Sequence, residues 1–161
     1  MKIAFFGQLL CETQKTGIAW SAHNLILELV KMPEFECNLQ YFSFPGREEK
    51  RQKLQAYQDA GCRLEPCGWF HFVLYKLLCG MFPVPYRMFF RSDQQITQCF
   101  NFTAPFRANG KCLTVIHDMA YLACPQTVRW KTRVWLRASM KRSCKYADHI
   151  ITVSEFSKQE I

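Results

Sequence analysis

Short apolar runs alternate along this chain with segments whose apolar residues recur at helical spacing, and this alternation constrains the fold more than any single motif. "KIAFFG" (2–7) is an apolar run of strand length that ends in glycine. From Gly17 the period changes. Ile18, Ala22, Leu25, Ile26, Leu29 and Val30 repeat every three or four residues until Pro33, the spacing of one helix face. "CNLQYFSF" (37–44) predicts a second strand, closed by Pro45-Gly46. Residues 47–61 predict a polar surface helix ending at Gly61, and 62–67 a short third strand. The run 69–82 is apolar nearly all round and predicts a helix, stopped by Pro83 and Pro85. Strands four and five follow at 95–102 and 111–118, then a helix at 129–145, a sixth strand at 148–154, and the start of another helix. Such alternation predicts an α/β fold: a doubly wound, mostly parallel sheet flanked by helices, with residues 1–161 as one Rossmann-like domain.

Composition narrows the class further. Apolar residues make up 49% of the chain, with 14 Phe and 4 Trp, enough for a full core and too many for a disordered segment. The nine cysteines are odd in number and scattered, with no Cys-x-x-Cys pair. A zinc site or a secreted disulfide framework would need pairs, so buried reduced thiols are expected. The N-terminal apolar run is broken by Gly7 and Gln8 and followed by Glu12, unlike a signal peptide, and no stretch reaches 18 apolar residues. These features predict a cytoplasmic protein. The net charge of +8 is concentrated: 129–145 holds seven basic residues and no acidic one, while 14 basic residues elsewhere nearly balance 13 acidic ones.

Candidate functional residues gather at predicted strand ends. In "LTVIHDMAYLACP" (113–125), His117 and Asp118 stand where an apolar strand stops. Open parallel sheets bind ligands beyond the carboxyl ends of their strands. His117 carries an imidazole that can donate or accept a hydrogen bond with a hydroxyl, or serve as a structural histidine satisfied by its neighbours. Asp118 is suited to holding the next loop through backbone N–H groups. Gly17 lies between a strand and a helix N-terminus, where free N–H groups favour an anion, or where a tight turn simply needs glycine. Asn101 and Thr103 either bond an acceptor's hydroxyls or cap the loop after strand four. Ser154 fits the N-cap of the last helix. No His, Cys or Asp near His117 has metal-ligand spacing.

Four of these segments, in this order, resemble the N-terminal domain of GT-B glycosyltransferases of the family-4 type. "KIAFFG" with "TGIAWSAHNLILEL" is similar to that family's first strand, glycine loop and helix. "CFNFTAPF" resembles its fourth-strand segment, "LTVIHDMAYLACP" its His-Asp strand end, and "YADHIITVSEFSKQEI" its last strand and helix start. Ala19 stands where the family more often has a second glycine. The resemblance implies the acceptor-side half of a retaining transferase that moves a sugar from a nucleotide-sugar to a glycan or lipid-linked acceptor. The nucleotide-sugar domain would be a second one, absent from this chain, and the chain would be a fragment or one domain of a longer protein. It implies donor phosphates near Gly17 and Ile18, the transferred sugar near His117, with Asp118 beside it, and Ser154 at the interdomain cleft. The donor would be a substrate bound mainly by that second domain, with no obligatory metal or other cofactor.

The basic helix has its own pattern. Arg129, Arg133, Arg137, Lys141 and Lys145 recur every four residues beside an apolar row of Trp130, Val134 and Ala138. The ordinary expectation is a solvated stripe with the apolar row in the core. As a functional surface, the stripe suits an anionic membrane, placing the protein peripherally at its inner face, better than it suits nucleic acid. A non-catalytic domain binding an anionic surface through this helix is the alternative to the transferase half.

Overall fold

The alternating periods become alternating elements in the computed structural model, which describes residues 1–161. In chain order they are β1 (Lys2–Phe6), α1 (Gly17–Val30), β2 (Glu36–Phe44), α2 (Arg47–Asp59), β3 (Arg63–His71), α3 (Phe72–Met81), β4 (Ile96–Cys99), β5 (Lys111–Ile116), a one-turn α4 (Ala120–Ala123), α5 (Trp130–Tyr146), β6 (His149–Thr152) and α6 (Glu155–Glu160). All neighbouring strands are parallel, in the order β3-β2-β1-β4-β5-β6. The fold is therefore the doubly wound α/β sheet that the sequence predicts, with no antiparallel strand. The order reverses between β1 and β4: the chain builds outward one way through β2 and β3, then the other way through β5 and β6.

Strand alternation divides the core between the two faces. Ile3 and Phe5 of β1 and Leu39 and Tyr41 of β2 pack with Ile26 of α1 and with Leu54 and Tyr57 of α2. On the other face Phe42, Tyr75, Tyr86 and Phe90 form a cluster at α3, and Ile116, Leu136 and Met140 form one at α5. Burying each large apolar side chain contributes about 1.5–3 kcal/mol. α2 is polar: its buried Leu54 and Tyr57 pack on the sheet, Lys50 Nζ donates to the Phe42 carbonyl of β2 at 2.9 Å, and the Glu49–Lys53 pair at 2.6 Å lies within the helix. Its end at Gly61 has the expected left-handed geometry, φ 111°.

Three boundaries differ from the sequence reading. β3 runs through Trp69, Phe70 and His71, which the apolar run had suggested were helical. A short apolar stretch fits a buried helix and a strand equally well. The helix starts instead where the Nδ1 of His71 accepts the Val73 N–H at 3.0 Å, a side-chain cap. Pro66 fits within β3 because β3 is an edge strand. β4 stops at Cys99, and Phe102 adopts φ 56°, a left-handed conformation that no strand continues through. β5 stops at Ile116, so His117 and Asp118 lie just beyond the strand and not within it.

The apolar row of α5 also departs from expectation. Trp130 is 66% exposed and Val134 57% exposed, and Ala138 faces solvent too, while Leu136, Ser139, Met140 and Ser143 face inward. The core needs only one face of this helix, and the 135–136, 139–140 and 143 positions supply it. All nine cysteines are free, six of them buried. No helix is long and apolar enough to cross a membrane.

One omission in the winding shapes the functional surface. The connection from β4 to β5, residues 100–110, carries no helix. The crossovers on either side of it, α3 and α5, therefore flank a strip of sheet covered only by a loop.

Candidate ligand cleft at the strand-order reversal

A cleft of about 410 Å³ occupies that strip, beginning where the strand order reverses. At the carboxyl edge it is lined by Phe6 and Gln8 after β1, by Ile18 in the first turn of α1, and by the 99–106 segment after β4. α3 and α5 form its walls. This is where the topology of an open parallel sheet leaves room for a ligand.

Gly17, Ile18, Asn101, Thr103, His117, Asp118 and Ser154 all follow strands of the sheet at its carboxyl edge, but only three of them line this cleft: Ile18, Asn101 and Thr103. α1 begins at Gly17, with Thr16 as its N-cap; Thr16 Oγ1 accepts the Ala19 N–H at 3.3 Å. That leaves the N–H groups of Gly17 and Ile18 without intrahelical acceptors. A Cβ built on Gly17 meets nothing within 4 Å, so no turn requires glycine here and the space before the loop is open. Lys15 adds a nearby cation, its ammonium 4.9 Å from the Trp20 ring centre.

Asn101 and Thr103 divide the two roles considered for them. Thr103 Oγ1 donates to the Asn101 carbonyl at 3.1 Å, which is loop capping. The Asn101 amide is exposed, makes no hydrogen bond within the protein, and borders the cleft.

His117 does not line the cleft; it lies half-exposed at the carboxyl edge, beside the Phe100–Phe102 segment that does. Its Nε2 lies 3.0 Å from the Phe100 carbonyl. A carbonyl can only accept, so Nε2 carries the proton and Nδ1 of the neutral ring keeps a free lone pair. The Phe102 ring meets the imidazole edge-on with centroids 5.6 Å apart, and the Phe102 N–H donates to the Val115 carbonyl at 3.1 Å. The left-handed Phe102 is thereby fixed between β4 and β5. Asp118 is exposed, and its Oδ1 accepts the Ala120 N–H at 2.9 Å, holding the turn into α4 as its sequence position suggested.

Ser154 caps α6 as predicted, accepting the Ser157 N–H at 3.1 Å. Sequence reasoning missed the next link: Ser157 Oγ donates to the His117 carbonyl at 2.9 Å, tying α6 to the histidine's backbone. The only available signal was a second serine one turn after the cap, which is too common to single out.

Four of the five basic residues in the every-fourth-residue series at and along α5, Arg129, Arg137, Lys141 and Lys145, are exposed. Arg133 is half-buried and donates to the Pro125 carbonyl at 3.4 Å. Residues four apart advance by about 40° per step around a helix, so one member of such a series turns aside. On α3 the row Val73, Leu77 and Met81 is exposed as well, with Trp69 beside it. Between Pro66 and Ala147 the chain has twelve basic residues and only two acidic ones, Asp93 and Asp118. The half of the chain that carries α3 and α5 therefore holds both exposed apolar residues and the excess of positive charge.

Burial raises the Tyr75 phenol well above its ordinary value and raises the Cys79 thiol, so both stay protonated at neutral pH. No three His, Cys, Asp or Glu side chains converge anywhere in the protein. A scan against protein-family models and searches of curated proteins and of solved structures find no match for this chain.

Proposed function

We propose that this domain is the acceptor-side half of a retaining, GT-B-type glycosyltransferase. It would work with a second domain that binds the nucleotide-sugar, and transfer the sugar to a glycan or lipid-linked acceptor. The observation that supports this reading most is the cleft at the strand-order reversal, bordered by Ile18, Asn101 and Thr103, with the half-exposed His117 beside its Phe100–Phe102 wall. In this reading the free N–H groups of Gly17 and Ile18 face the donor phosphates, and Asn101 bonds an acceptor hydroxyl. The Nδ1 lone pair of His117 accepts a hydrogen bond from a sugar hydroxyl, in a tautomer set by the Phe100 carbonyl. Asp118 and Ser154 hold the loop and helix that position His117. The leaving diphosphate would be stabilised mainly by cationic groups and N–H donors of the second domain, the electrostatic route to catalysis. No metal is assigned to the reaction.

The exposed Trp130 and Val134 beside Arg137, Lys141 and Lys145 favour a peripheral position on an anionic membrane at its cytoplasmic face, where lipid-linked acceptors are reached. The same surface also supports a second reading, a non-catalytic domain that binds anionic membranes through α5. Transfer assays with labelled nucleotide-sugars and membrane extracts separate the two. The transferase reading predicts incorporation by a gene product that carries both domains and none by the 161-residue chain alone. Incorporation by the isolated chain, or vesicle binding without any transfer by the two-domain protein, would overturn it.

A further inference from the structure

We infer that the groove between α3 and α5 holds the hydrocarbon chain of an amphiphile whose phosphate head lies at the carboxyl edge of the sheet. Identifying this amphiphile as the acceptor rests on the transferase reading; the binding itself does not.

The shape of the groove favours a chain over a compact ligand. It follows one row of α5 from Thr132 through Trp135, Ser139 and Ser143 to Tyr146, fifteen residues spanning roughly 21 Å of helix. Its lining is predominantly hydrophobic, 16 of 27 residues, and its volume suits a single elongated small molecule. The groove exists because no helix fills the β4–β5 crossover, so its floor is sheet and loop and not an interlocked helix face. The far end is closed. There the Arg142 guanidinium donates to the Gly80 carbonyl, bridging α5 to α3, and Phe106 packs on Tyr146 at 4.9 Å between centroids. The near end reaches Ile18 and the unpartnered Asn101 amide.

Charge selects the head group. Lys76 stands on the α3 wall with its ammonium 4.9 Å from the Trp135 ring centre, and it pairs with no carboxylate. Lys76, one turn from the start of α3 and so toward the carboxyl edge, is the cation placed for the head group; Arg142 lies at the far end on the Gly80 carbonyl, and Glu12 is the lining's one acidic residue. The exposed apolar residues of α3 and α5 lie on the outer faces of the same two helices, so a chain leaving a bilayer passes from one apolar surface to another.

The test is calorimetric titration of the 161-residue chain with decyl phosphate below its micellar concentration, alongside decanol and inorganic phosphate. One equivalent of decyl phosphate should bind saturably, at least tenfold more tightly than decanol, with inorganic phosphate weaker than either. Thr132→Trp places an indole at an exposed position on the groove wall and should weaken decyl phosphate at least tenfold, with an unchanged circular dichroism spectrum. Lys76→Glu, also at an exposed position, should weaken decyl phosphate at least fivefold and leave decanol unaffected. Absence of saturable binding to the unaltered chain, or full affinity in a folded Thr132→Trp variant, would overturn the inference. Equal affinities for decanol and decyl phosphate would refute the phosphate head. Saturable binding by the chain while the two-domain protein shows no transfer would remove only the identification with an acceptor.

Discussion

Gly110 fixes the return of the helix-free β4–β5 connection, and replacing it with alanine should be among the most damaging small changes to this protein. Its φ is +66°, where an L-residue's Cβ crowds the backbone at a cost of about 1–2 kcal/mol. The added Cβ would also lie 2.2 Å from the Gln95 carbonyl oxygen and 2.3 Å from its carbon, both backbone atoms that no rotamer change can move. Relief requires shifting the start of β5 away from β4. That shift strains the Lys111 N–H to Gln95 carbonyl bond (2.8 Å) and the Thr97 Oγ1 to Asn109 carbonyl bond (2.7 Å), each worth about 1 kcal/mol. Together these give a destabilisation of roughly 3–4 kcal/mol, or roughly 10 °C in Tm for a domain of this size. Urea unfolding followed by circular dichroism measures it. Gly17→Ala is the matched control: its Cβ meets nothing, so stability should change by no more than about 0.5 kcal/mol. A loss below about 1 kcal/mol for Gly110→Ala, or an equal loss at Gly17, would show that the steric reasoning is wrong.

Other perturbations have equally definite outcomes. Thr114 is fully buried and its hydroxyl has no hydrogen-bond partner, so Thr114→Val should raise stability by about 1 kcal/mol in the same urea assay; a loss would mean the hydroxyl is satisfied in solution. The Asp148 carboxylate accepts the Cys112 N–H and the Lys111 ammonium, both at 2.9 Å, which hold its carboxyl below the usual range. Its contribution to stability is present above the ordinary carboxyl value of about 4 and is lost as pH falls through the lowered folded value. Acid titrations of stability should therefore flatten in Asp148→Asn, and an unchanged acid limb would contradict the assignment. Substituting alanine at both Arg137 and Lys141 should weaken sedimentation with anionic vesicles roughly thirtyfold, at roughly 1 kcal/mol per basic residue. Arg133→Ala should do less, because Arg133 already donates to Pro125. Unchanged vesicle binding in the double variant, or duplex DNA binding in place of vesicle binding, would remove the membrane from the account.

What the sequence made legible is what local pattern encodes. The period change at Gly17 locates α1, the Gly61 stop closes α2, and Ser154 before a short polar helix is a cap in the structure as in the sequence. The start of α3 was hidden because Trp69–His71 sits in an apolar run that fits either element, and the His71 cap that decides it depends on a rotamer. Trp130 and Val134 were expected inside because apolar rows usually are; only the packing of Leu136 and Met140 shows which row the sheet uses. The groove itself has no motif. It follows from the absence of a helix between β4 and β5 and from the positions of α3 and α5, relations among elements far apart in the chain. Likewise, His117 was legible as a strand-end residue, but its bond to the Phe100 carbonyl and its place beside the Phe102 ring were not.

The most direct test of the central claim is the effect of His117→Ala on sugar transfer by the two-domain protein, with kcat and KM measured separately for donor and acceptor. The account predicts at least a tenfold loss of kcat/KM with a melting temperature lowered by no more than about 5 °C, the cost of losing the bond to the Phe100 carbonyl. Undiminished transfer by a stably folded His117→Ala protein would contradict it.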